Sequence, residues 1–143
     1  MTVTTTSYGF GTRVPWSQAE AIEQVTAALK AEGFGILTTI DVQQTLREKL
    51  GTETRPYVIL GACNPQLAHQ ALEAEPEIGL LLPCNAIVYQ ADGGTTVAIM
   101  DPVAALNLTG NAAVEPVARE AQARLQRVLH QLSSAVQGRP SQP

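Results

Sequence analysis

The sequence predicts an α+β fold: a mostly antiparallel sheet with helices packed on one face, in the order β-α-β-α-β-α-β-β-α. Three observations predict it. Apolar runs of strand length alternate with segments of helical spacing. Asp92-Gly93-Gly94, set between two such runs, signals a hairpin and hence antiparallel neighbours. A long amphipathic stripe near the C-terminus can cover a sheet face.

The elements follow in order. Thr4 to Val14 alternates at the even positions and reads as a first strand. Ser17 and Glu20 form a capping box, each side chain suited to an unpaired amide of the first helical turn. Trp16 and Ala21 occupy the staple positions, and Ile22, Val25 and Leu29 fall on one helical face. Gly33 supplies the left-handed residue that ends this helix. Phe34 to Val42 alternates again and predicts a strand, and Asp41 to Leu50 turns helical. The continuous apolar run Tyr57 to Ala62 predicts an inner strand covered on both faces.

Asn64-Pro65 has the order of an N-cap followed by the first helical residue, and Glu75-Pro76 closes that helix. Gly79 to Pro83 reads as an apolar loop. Cys84 to Gln90 and Thr95 to Met100 are the hairpin strands, interrupted by Asp101-Pro102, and Val103 to Gly110 carries no clear signal. Ala113 to Val136 is the long helix, with Val114, Val117, Ala121, Leu125, Val128 and Leu132 on one stripe. The 143 residues predict a single domain over 4–136 and a disordered tail over 137–143.

Composition limits the function classes. Apolar residues make up 45%, charged residues only 15%, and the net charge is −4. No Lys/Arg cluster exists to track phosphates, which argues against a nucleic-acid surface. No apolar run is long enough to cross a bilayer, and the N-terminus lacks the pattern of a signal peptide. A cytoplasmic location is the expectation. There, two cysteines are free, metal-bound or redox-active more often than bridged. Their Cys-x20-Cys spacing fits no zinc-finger pattern. No P-loop, dinucleotide fingerprint, Ser-His-Asp order or metalloprotease motif is present, so the sequence names no cofactor.

The most specific segments are Gly61-Ala62-Cys63-Asn64-Pro65 and Pro76-Glu77-Ile78-Gly79-Leu80-Leu81-Leu82-Pro83-Cys84-Asn85. Together with Thr39-Ile40-Asp41-Val42, Leu46, Lys49-Leu50, Arg55-Pro56-Tyr57, Val88-Tyr89 and Asp101-Pro102, they carry a resemblance. The chain resembles the prokaryotic family "domain of unknown function 302" from Tyr8 to Leu132. The resemblance implies a compact α+β fold and a homodimer. It implies no established activity, and only hints at sulfur or metal handling.

Cys63 and Cys84 are the leading site candidates. If their strands are antiparallel neighbours, both thiols lie at one edge of the sheet. A two-residue hairpin turn places Asp101 opposite Cys84 and Met100 opposite Asn85. A three-residue turn brings Met100 closer to Cys84. Cys63, Cys84, Met100 and Asp101 are thus expected to converge, with Asn64 and Asn85 beside them. Cys63 precedes a helix start, whose dipole favours a thiolate, whereas apolar neighbours push a thiol pKa up. Free cysteine is also one of the most buried residue types, so both can serve as apolar filler.

Other candidates have simpler uses. Asn64 and Asn85 suit caps or loop fixing, and Pro65 and Pro83 punctuate the backbone. His69 suits a solvated helix face and His130 a packed or surface position. Asp41 suits an N-cap, Arg55 an ion pair and Tyr89 a place in the sheet.

Three functions follow. The first is a homodimeric module binding a soft metal ion through Cys63, Cys84 and Met100, or a small sulfur-containing ligand. The second is a structural or protein-interaction module with filler cysteines. The third is a thiol redox or sulfur-transfer protein with Cys63 as nucleophile and Cys84 as resolving partner.

Overall fold

The computed structural model describes residues 3–138. It has a six-stranded antiparallel sheet, β1 (Val3–Thr5), β2 (Gly9–Val14), β3 (Gly35–Asp41), β4 (Tyr57–Cys63), β5 (Cys84–Ala91) and β6 (Gly94–Met100). The spatial order is β1-β2-β6-β5-β4-β3. The helices are α1 (Gln18–Ala31), α2 (Val42–Leu50), α3 (Pro65–Ala74), α4 (Pro102–Leu106) and α5 (Glu115–Gly138). The expected α+β class and element order hold.

Local signals set most boundaries. Ser17 accepts a hydrogen bond from the Glu20 amide at the start of α1, and Trp16 and Ala21 beside it are both buried. Gly33, at φ 85°, releases the chain from α1 into β3. Asp41 caps α2, Asn64 caps α3 and Asp101 caps α4, each through its side-chain oxygen. The hairpin turn has two residues, since Ala91 pairs with Gly94, and Gly93 takes φ 82° there.

The differences from expectation have local causes. The single strand from Thr4 to Val14 is folded into the β1–β2 hairpin. Thr6 makes the turn: its amide donates to the Gly9 carbonyl, and its hydroxyl accepts from the Tyr8 amide. The unassigned stretch after Asp101 becomes α4 and a 3-10 turn, started by the Asp101 cap and Pro102. Of the expected tail, Gln137 and Gly138 end α5, and 139–143 lie outside the described residues.

One face of the sheet carries the core. Cross-strand rows Val58–Val88–Val97–Thr12 and Leu60–Ala86–Ile99–Phe10 meet buried residues of α1 and α5, including Val25, Leu29, Leu125 and Val128. The opposite face presents the rows Ile59–Ile87–Ala98–Gly11 and Tyr57–Tyr89–Thr96–Arg13. Ile59, Ile87, Tyr57 and Tyr89 stay half-buried. β4 is therefore an inner strand but is fully covered on only one face. Its unbroken apolar run reflects two apolar faces rather than two covered ones.

Candidate functional site

The sheet end near Cys63 and Cys84 opens into a cavity of about 350 Å³. β4 delivers Ala62 and Cys63, β5 begins at Cys84, α3 contributes Leu67 and Ala71, and α5 contributes Val117 and Ala121. Phe34, Leu37, Leu82, Pro83 and Leu106 complete much of the wall. Small side chains on the facing helices leave the space that larger ones would fill. The volume lies at the small end of the ligand-pocket range.

Asn64 borders the cavity and is buried. Its carboxamide oxygen accepts from the Leu67 amide at 3.1 Å, so it serves as the cap of α3. That use bears on Cys63. Pro65 at the first helical position has no amide to offer, and the Leu67 amide is taken by Asn64. Little of the helix start remains to favour a thiolate, and burial pushes the Cys63 thiol up. The expected depression of its pKa is thereby overturned. Burial pushes Cys84 up to about 11, and a negative charge on Cys63 adds to that shift.

The cysteines do not face each other as a pair. Cys84 stands opposite Ala62 in the β4–β5 register, and Cys63 stands opposite Gly35 on the other side. Adjacent residues of a strand point to opposite faces, so Cys63 is out of step with Cys84. Both thiols are free. They border the same cavity from different positions.

The wider convergence fails. With the two-residue turn, continuing the β5–β6 register places Met100 opposite Asn85, one residue away from Cys84 and on the other face. Met100 and Asn85 border a separate groove with Tyr8, Ile87 and Leu108. Asp101 is engaged by the Val103 amide and by Gln122. The ligand set Cys63, Cys84 and Met100 is therefore not assembled. Among the described residues, no cluster of three or more His, Cys, Asp or Glu side chains could hold a metal ion.

The remaining candidates have structural uses. His69 is exposed, 3.1 Å from Glu73 one turn along α3, and His130 is exposed on α5. Arg55 lies over the Tyr89 ring at 5.8 Å and donates to the Gln90 carbonyl, in place of the expected ion pair. Tyr89 stacks on Tyr57 with ring centroids 5.2 Å apart. The sequence reading missed most of the cavity wall, which comes from six separate elements and loops. Leu37 did carry a signal, as an apolar residue at the polar phase of the Phe34–Ile40 alternation.

The family profile "Domain of unknown function DUF302" matches residues 10–132, from β2 into α5. The chain belongs to the DUF302 family. The DUF302 match spans both cysteine segments and every residue of the cavity wall. A crystal structure of an uncharacterized conserved DUF302 protein from Bacillus stearothermophilus is similar. It is 32% identical, with a TM-score of 0.81, over 87% of this chain and 97% of that one. No curated protein matches the chain.

Proposed function

We propose that this DUF302 protein is a homodimeric binding module whose site is the cavity bordered by Cys63, Asn64 and Cys84, and that its ligand is small and neutral, with sulfur-containing compounds as the favoured class. The carrying observation is that both thiols border one cavity whose remaining lining is apolar apart from Asn64. Protonated thiols are polarisable, weakly hydrogen-bonding groups suited to a soft, uncharged guest. A soft metal ion fits less well. It would have to draw protons from two thiols whose pKa values are raised, with Met100 bordering a different groove. Thiol transfer fits less well for the same reason, since the thiolate is the nucleophile.

The homodimer rests on the open sheet face. Ile59, Ile87, Ala98 and Met100 lie there, and the cations at its border are engaged within the chain, Arg13 with the Asp92 carbonyl and Arg55 with Tyr89. Both guanidiniums are exposed at the border, so a two-fold contact of the central apolar rows can leave them hydrated. Two free thiols suit a reducing compartment, and the proposal places the protein in the cytoplasm.

The test uses tetrahydrothiophene and cadmium as probes against the reduced protein, read by amide NMR shifts and by iodoacetamide labelling. The proposal expects tetrahydrothiophene to shift Cys63, Asn64 and Leu67 resonances and to slow labelling of Cys63. Tight stoichiometric cadmium binding would favour the metal reading instead. Absence of any shift at the cavity with either probe would overturn the site.

A further inference from the structure

We infer that the ligand of this cavity is an uncharged molecule bearing an extended alkyl chain, which enters between Leu37 and Leu72 and continues past the mouth. The inference rests on the cavity being the binding site and specifies what it takes.

The wall rejects charge. None of its side chains is a carboxylate, an ammonium, a guanidinium or an imidazole. Its one carboxamide, Asn64, has its oxygen bound to the Leu67 amide. Burial keeps both thiols protonated at neutral pH. An ion placed here would lose its hydration with only the Asn64 amide nitrogen and two neutral thiols to replace it.

The mouth extends the apolar path. Leu37 and Leu72 both border the cavity, yet are 67% and 41% exposed, so they stand at its opening. A single exposed leucine calls for no explanation, but two that line the same cavity form an apolar collar at its mouth. A compact guest would sit inside and leave that collar wet. A chain fills the interior and covers the collar at the same time, so its burial grows with each methylene.

The test is a series of 1-alkanols from butanol to decanol, titrated by calorimetry and by amide NMR shifts, with tetrahydrothiophene as a compact reference. The inference expects affinity to rise about fourfold per methylene, equivalent to about 0.8 kcal/mol, until the cavity and collar are covered. Leu37→Thr and Leu72→Gln are exposed substitutions whose folding is checked by circular dichroism. Each is expected to weaken octanol at least threefold and to weaken tetrahydrothiophene by a smaller factor. An affinity that stops rising at the shortest alcohols, or collar variants that bind octanol as well as the wild type, overturns the chain while tetrahydrothiophene binding keeps the site. Tighter binding of octyl sulfate than of octanol overturns the demand for a neutral ligand. Failure of alkanols and tetrahydrothiophene alike overturns the site itself.

Discussion

Cys84 is expected to resist alkylation for a reason that can be put in numbers. The perturbation is pH, applied to the intact chain, with the two thiols told apart by peptide mass spectrometry. Burial, with a smaller push from a negative charge on Cys63, raises the Cys84 pKa from 9.0 to about 11. At pH 8 the thiolate fraction falls from about one in ten to about one in a thousand, roughly 100-fold. A more basic thiolate is a better nucleophile, with a Brønsted slope near ~0.45 that returns about eightfold. The net expectation is labelling about tenfold slower than a free thiol, before any further slowing from restricted access. Iodoacetamide modification followed by mass spectrometry from pH 7 to 10.5 measures it, with urea-unfolded protein as the reference. The same shift predicts alkaline sensitivity. The unfolded chain loses this proton near 9 while the folded chain keeps it to about 11. The contribution is therefore fully present below pH 9 and is lost between 9 and 11, up to about 3 kcal/mol. Native labelling at the unfolded rate at pH 8, or a rate profile with its midpoint at 9 or below, would refute the argument.

Four further outcomes are expected. Gly11→Ala should destabilise the fold by about 1–3 kcal/mol in urea titrations, because an added Cβ meets the Val97 carbonyl oxygen at 2.6 Å and Ala98 Cβ at 2.9 Å. Unchanged stability would show that β2 and β6 can separate locally. Thr12→Val should be neutral or stabilising by about 1 kcal/mol, since the buried Thr12 hydroxyl has no hydrogen-bond partner among the described residues; a loss of stability would reveal a partner. Asn64→Ala should cost about 1 kcal/mol through the lost α3 cap, and thermal melts with no change would count against that role. Ile87→Arg on the open sheet face should abolish the proposed two-fold contact, read by light scattering as a monomer against a wild-type dimer with the circular dichroism spectrum retained; a monomeric wild type would overturn the homodimer, and an unaltered dimer would move the contact elsewhere.

The local chemistry of this chain was legible one signal at a time. Ser17, Asp41 and Asn64 each read as a helix cap and each caps one, because a cap depends on residues three apart or closer, whereas the Asp101 cap of α4 went unread. The Asp92-Gly93 turn set the β5–β6 register, and that register in turn removed Met100 from the cysteines. The Thr6 turn was less legible, since a Thr-rich stretch alternates whether it runs straight or folds back. Exposure was not legible at all for β4, whose apolar run has the same pattern with one face covered or two.

By itself the sequence determined the element order, the caps of α1, α2 and α3, the hairpin and the two segments that hold the thiols. These depend on neighbours along the chain, whose geometry the backbone constrains within a few residues. Tertiary structure alone decided that Cys84 faces Ala62, that Cys63 is out of step with it, and that burial holds both protonated. It also drew Phe34, Leu67, Leu106 and Ala121 to one wall around a space. A cavity is volume left over when distant elements meet, and a pKa shift is the solvent those elements exclude. Neither quantity belongs to any one stretch of chain.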